Sequence, residues 1–111
     1  PAPSAIPRVG DSQVAELEGW IDEIQAVVPP MRSFILPGGT ETAARLHVAR
    51  TAARRAERLC VALQQHELVG AQVIIYLNRL SDLLFAMARR ANQLAGVDDV
   101  PWLSPRQRTP M

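Results

Sequence analysis

Arginine dominates residues 50–58, RTAARRAER, in a stretch otherwise made largely of alanine. On a helix, side chains four apart lie one above the other, so Arg50 and Arg54 would present two permanently charged planar forks in one direction. Such forks match pairs of phosphate oxygens with parallel, charge-assisted hydrogen bonds. Glu57, one turn further on, could orient Arg54 or accept from a sugar hydroxyl. His47, Arg50, Arg54 and Glu57 together span only about 80° of arc at 100° per residue. A nucleoside polyphosphate would satisfy that stripe. A structural network of ion pairs would satisfy it as well, and the spacing alone leaves both open.

The neighbouring candidates carry weaker signals. Arg55 and Arg58 fall on a flank that reads as solvated surface. His47 alone reads as a packed, hydrogen-bonded core histidine. Asn78 lies within an apolar stripe, where an unpaired amide would cost about 1 to 3 kcal/mol, so it must have a partner, either protein or ligand. Phe34 and Leu36, in the connector MRSFILPGG (residues 31–39), read as loop anchors. Gly38 and Gly39 read as a flexible approach to a helix cap; a glycine pair there can also bind an anion, but GGT alone is weak evidence.

The composition excludes several classes. The chain has 111 residues, 48% apolar and 21% charged, which fits one ordinary domain. All twelve basic residues are arginine, and against eleven acids they leave a net charge of +1, too little for a chain that coats nucleic acid. The single Cys60 cannot form an internal disulfide, and with two histidines nineteen positions apart it makes no zinc ligand set. The longest apolar run in the most apolar region, residues 73–77, is far short of the roughly 20 residues that span a bilayer. Residues 1–10 hold three prolines and lack the pattern of a secretory signal, so they read as a linker and the expected location is cytoplasmic.

Three helices must then position the stripe. Asp11 or Ser12 can cap the first, with an apolar seam of Val14, Leu17, Ile21, Ile24 and Val28 that Pro29-Pro30 terminates. Thr40 caps the second, followed by Glu41 where the helix dipole favours an acid, and the helix should run to about Gln65. Its expected seam is Leu46, Ala49, Ala53, Ala56, Cys60 and Leu63, with the arginine stripe beside it. After a break at residues 66–70, the third helix should run over about 71–95. Its expected seam is Val73, Leu77, Leu80, Leu84, Met87, Ala91 and Leu94, beside a second stripe of Ile74, Phe85 and Ala88 that carries Asn78 and Ser81. Gly96 stops it, and residues 97–111 read as a tail. The expected fold is an all-α antiparallel helix bundle over residues 11–96. The third helix has more apolar surface than two partners would cover, which argues for missing helices, oligomerisation, or both.

Three collinear segments, FILPGGT (34–40), ARLHVARTAARRAER (44–58) and YLNRLSDLLFAMAR (76–89), resemble the PduO-type ATP:corrinoid adenosyltransferases, over about residues 8–95. VAELEGWID and PPMRSF, earlier in the chain, also fit that pattern. The resemblance implies a homotrimer of five-helix bundles with active sites between subunits. It implies a transferase of the cob(I)yrinic acid a,c-diamide adenosyltransferase type, in which the cobalt of cob(I)alamin attacks the 5′ carbon of ATP, releasing triphosphate and forming adenosylcobalamin. On that resemblance Arg54, Arg55, Glu57 and Arg58 belong to the ATP motif, with Arg54 on the phosphates and Glu57 near the nucleoside, and Asn78 completes the ATP site. Arg50 matches an arginine that pairs across the subunit interface, and Phe34 an aromatic that blocks the lower corrin face and displaces the axial base. Magnesium would bridge the triphosphate. Displacement at carbon needs alignment and charge stabilisation more than a general base, so the lack of a triad is no objection.

One departure stands out. The family's glycine- and threonine-rich TRTGDxGxT segment, which wraps the ATP phosphates, is absent, as is the first helix that supplies the acid for the Arg50 position. The expectation is a piece starting just before the family's second helix, weak or inactive by itself. The alternative is a non-catalytic helical oligomerisation or interaction domain. Which corrinoid is preferred, and whether the product passes directly to an adenosylcobalamin-dependent mutase, stays open.

Overall fold

The computed structural model describes residues 8–31, 34–67, 69–99 and 101–102. Most of the expected linker and most of the expected tail lie outside the described residues. Three helices follow one another: α1 (Asp11–Gln25), α2 (Glu41–Leu63) and α3 (Ala71–Leu94). None of them is long and apolar enough to cross a membrane.

The cap of α1 lies one residue earlier than the sequence suggests. Gly10 is the N-cap, its amide donates to Gln13 Oε1 at 2.9 Å, and Asp11 is already helical, with its charge favourably in the first turn. The α1 seam is as expected, with Val14, Leu17, Ile21 and Val28 buried. Thr40 caps α2 as expected, its side chain accepting from the Ala43 amide at 3.1 Å. Gly96 ends α3 at φ +72°, so that Val97 N reaches Asn92 O and Gly96 N reaches Gln93 O. That paired closure satisfies carbonyls the helix would otherwise leave open.

Helix α3 lies in the middle. Successive helices run antiparallel, since Thr40 meets Asn92 and Glu57 meets Asn78, whereas α1 and α3 run alongside in the same direction, since Asp11 meets Gln72 and Glu18 meets Arg79. Leu17 and Ile21 pack on Leu83, with Ile24, Tyr76 and Leu80 around them. Burying a leucine such as Leu17, 3% exposed, contributes about 1.5 to 3 kcal/mol. Helices α1 and α2 do not touch each other; each packs only on α3.

That arrangement corrects two expected seams. The positions of α3 that face α1 (72, 76, 79, 83) and those that face α2 (78, 81, 85, 88, 92) lie on roughly opposite flanks at 100° per residue. The leucine-rich seam falls between the two flanks and is incompletely covered, Met87 and Leu94 being exposed. The best-buried α3 positions are instead Ser81, Leu83, Ala86, Ala88 and Asn92. On α2 the buried residues are Ala43, His47 and Ala53, while Ala49 and Leu63 of the expected seam are exposed. The polar stripe is therefore turned towards α3 together with Ala53, while the rest of the expected apolar seam is only half-buried or exposed. No large side chain among the described residues is fully buried, and Val48, Leu59 and Phe34 are largely exposed. Three helices thus leave apolar surface without cover, as the sequence led us to expect.

Candidate functional site

The α2–α3 contact sorts the arginine stripe into two places. Towards the N-terminal half of α2, His47 and Arg50 both lie on Phe85. The imidazole meets the ring edge-on at a centroid distance of 5.8 Å, and the guanidinium carbon stands 5.0 Å from the ring centroid. A cation over an aromatic face is attracted by the ring quadrupole. The Arg50 Nε is nonetheless buried with no hydrogen-bond partner among the described residues. Burial, and then the charge of Arg54, push the Arg50 pKa down, with Asp82 partly opposing them. Arg50 is thus a partly desolvated cation lacking a close acid.

His47 is packed, 5% exposed, but the expected hydrogen bonds are absent: among the described residues neither ring nitrogen has a partner. Burial first, and Arg50 second, lower its pKa below 6.5, and Asp99 opposes them weakly. A histidine that folds into its neutral form stabilises the protein fully above its unfolded pKa. That contribution is lost as pH falls from about 6.5 through the lower folded value. Thermal melts should therefore drop in midpoint as the buffer is acidified below about 6.5, and His47→Leu should flatten that part of the profile. An unchanged slope in the variant would place the acid sensitivity elsewhere.

Further along α2 the stripe opens into a cleft of about 310 Å³ between α2 and α3, lined by Arg54, Glu57, Arg58, Val61, Asn78, Ser81 and Asp82. Glu57 Oε2 accepts from Asn78 Nδ2 at 3.2 Å, and Asn78 Oδ1 accepts from Arg79 Nη1 at 2.7 Å. Arg79 is itself held by Glu18 Oε2 at 2.9 Å, so the cleft wall is braced from α1 through α3. The partner that Asn78 needed is therefore protein. Arg54 and Arg58 remain exposed at the cleft with no hydrogen bond or ion pair among the described residues. Two free guanidinium groups beside a fixed carboxylate–amide pair can take an anion and a hydroxyl-bearing group together.

Four of the sequence candidates thus converge: Arg54, Glu57, Arg58 and Asn78. Arg58, read as solvated surface, stands at the cleft. Arg55 does not join them and lines an apolar groove on the outer face of α2 with Val48, Thr51, Ala52, Ala56 and Leu59. Arg50 lies one turn away on Phe85. Phe34 is 79% exposed in the connector, where its carbonyl accepts from Trp102 N at 2.6 Å. Asp82, on the cleft wall, was not singled out from the sequence; its place one turn after Asn78 is the signal that could have found it.

A sequence profile for cobalamin adenosyltransferases matches residues 2–91. The chain belongs to the cobalamin adenosyltransferase family. It is 46% identical over 95 residues to a cobalamin adenosyltransferase of Cupriavidus metallidurans, covering 86% of this chain and 52% of that one. Two solved structures of variants of a PduO-type ATP:corrinoid adenosyltransferase from Lactobacillus reuteri superpose on it. A phenylalanine-to-alanine variant complexed with cobalamin and ATP gives a TM-score of 0.82 at 43% identity, covering 89% of this chain and 54% of that one. An arginine-to-lysine variant complexed with ATP gives 0.81 at 44%, covering 87% and 54%. The chain spans about half the length of the cobalamin adenosyltransferases it matches.

Proposed function

We propose that the protein carrying this chain is an ATP:corrinoid adenosyltransferase, transferring the 5′-deoxyadenosyl group of ATP to the cobalt of a reduced corrinoid. The cleft that gathers Arg54, Glu57, Arg58 and Asn78 is the observation that carries this reading. In the reaction a cobalt–carbon bond forms as the carbon–oxygen bond to triphosphate breaks, and the electron pair leaves on the triphosphate. The chain's part is to hold that leaving group in line and offset its charge, which Arg54 and Arg58 do as two forks. Glu57, fixed by Asn78, accepts from the nucleoside.

The relatives add support. The Lactobacillus reuteri protein was captured with cobalamin and ATP. The altered phenylalanine and arginine of its variants stand twenty positions apart, the same separation as Phe34 and Arg54 here. We assign Phe34 to the lower corrin face, where it displaces the axial base. The unpartnered Arg50 Nε fits an arginine whose acid comes from another segment or subunit of a trimer. Arg55, on the outer face of α2, would meet ATP only where a second copy presents its cleft. Magnesium would bridge the triphosphate oxygens, in keeping with its usual role.

Anaerobic absorbance with ATP, magnesium and chemically reduced cobalamin tests the reading on the complete gene product. The adenosylcobalamin spectrum should appear and should depend on Arg54. Its absence in a folded protein that also fails to bind ATP would leave an interaction domain on an inherited scaffold. The 111-residue chain by itself, which spans about half the length of its relatives, should turn over poorly; activity equal to that of a full-length relative would show the rest of the relatives' length to be dispensable. Phe34→Ala should spare ATP binding and lose the four-coordinate spectrum of the bound corrinoid, and an unchanged spectrum would remove Phe34 from the corrin face.

A further inference from the structure

Asn92 is 3% exposed, and nothing in the chemistry above uses it. It ends the row of α3 positions facing α2, and its side chain reaches the segment that leads into that helix. Its Oδ1 accepts from Thr40 N at 2.9 Å and from Thr40 Oγ1 at 3.0 Å, while its Nδ2 donates to Gly38 O at 3.0 Å. The same Thr40 hydroxyl accepts from the Ala43 amide, so one oxygen joins the α2 cap to α3.

The rest of the connector is gripped by the same stretch of chain. Arg89 Nη2 donates to Pro29 O, and Gln93 Nε2 donates to Val27 O at 2.6 Å. Arg89, its side chain 9% exposed, also holds Asp99 at 2.9 Å. Beyond it, Ile35 bridges Pro101 in antiparallel fashion, beside the bond from Trp102 N to Phe34 O. The last turns of α3 and the residues just after them therefore hold the connector at both ends and at Phe34 itself. Asp99, Pro101 and Trp102, read from the sequence as part of a tail, belong to this grip.

We propose that Asn92 is a positioning residue for Phe34. Its amide clamps residues 38–40, and the connector so fixed presents the Phe34 ring at one height and angle to the corrin. Phe34 lies four residues before Gly38, so the bonds of Asn92 to Gly38 and Thr40 fix the backbone that carries its ring. The inference rests on the assignment of Phe34 to the corrin face. Displacing an axial base demands close placement, and a shift of about 1 Å in a positioning group can cost about 100-fold in rate.

The test compares Asn92→Ala, Asn92→Asp and Phe34→Ala in the complete gene product. Three readouts apply: ATP affinity, kcat against KM, and the absorption spectrum of the bound Co(II) corrinoid with ATP present. Asn92→Ala should lower kcat by about tenfold or more, leave the KM for ATP within about twofold, and shift the spectrum towards that of Phe34→Ala. Asn92→Asp keeps the acceptor contacts to Thr40 but sets a carboxylate oxygen against the Gly38 carbonyl, so it should recover only part of the loss. An unaltered spectrum in Asn92→Ala, with Phe34→Ala altered, overturns the positioning role. An unaltered spectrum in Phe34→Ala fails the corrin assignment first, and the inference falls with it. Should Asn92→Ala not fold, Thr40→Val, which removes the shared hydroxyl, should reproduce the spectral shift and Thr40→Ser should reverse it; a folded Thr40→Val with an unaltered spectrum overturns the proposal equally.

Discussion

Replacing Arg54 by alanine is expected to weaken ATP binding by about 10- to 100-fold while the helices stay packed. A hydrogen bond to a charged group is worth about 1.5 to 3 kcal/mol, and every 1.4 kcal/mol is about tenfold in affinity. Arg54 stands exposed at the cleft and engages no other described side chain, so its removal unties nothing in the fold. Arg54→Lys should fall between wild type and alanine, because an ammonium keeps the charge and loses the planar fork. Calorimetric titration of the complete gene product with ATP and magnesium, paired with a thermal melt, measures both halves. Unchanged ATP affinity together with loss of assembly would make the arginine stripe a device for holding subunits together.

Gly39→Ala should be among the most destabilising single substitutions, at about 2 to 4 kcal/mol, with Gly38→Ala nearly neutral. Gly39 sits at φ +101°, a conformation costly for any residue with a Cβ. A Cβ there would also stand 2.4 Å from Asn92 Nδ2 and 2.5 Å from its Oδ1, inside the amide that clamps the connector. The amide cannot swing aside without giving up its bonds to Gly38 and Thr40. At Gly38 a Cβ would meet nothing within 4 Å and φ is not positive. At roughly 4 to 8 °C per kcal/mol for a domain near this size, the Gly39 variant should melt at least about 8 °C lower. Equal melting of the two variants would deny the connector its close fit to Asn92.

The two glycines show where sequence reading stops. Their pairing before a threonine cap was legible as a helix start, and the cap is there. That Gly39 serves rigidity and not flexibility depends on Asn92, more than fifty residues away, a contact no local pattern contains. The three helices and the α1 seam were legible because apolar periodicity and proline breaks are local. The α3 stripe of Phe85 and Ala88 that carries Asn78 and Ser81 was legible too and faces α2; that it outranks the leucine-rich seam, and that it extends to Asn92, was not, because this depends on two partners gripping opposite flanks of α3. Arg54, Glu57, Arg58 and Asn78 were legible as candidates, and the α2–α3 crossing brings them together. Arg55 shares their motif but occupies another face, since neighbours in sequence point about 100° apart on a helix.

Because α1 and α2 meet only through α3, that helix acts as a ruler. Asn78, at the arginine cleft, and Asn92, at the connector that carries Phe34, lie fourteen residues apart on one unbroken helix. At 1.5 Å per residue the two grips are spaced by about 21 Å along the axis. The spacing between the cleft and the foot of the connector is thus dictated by helical rise, whatever the length of the turn between α2 and α3. Loop insertions can be absorbed without altering that gauge, whereas a proline or an added residue within α3 would recalibrate it.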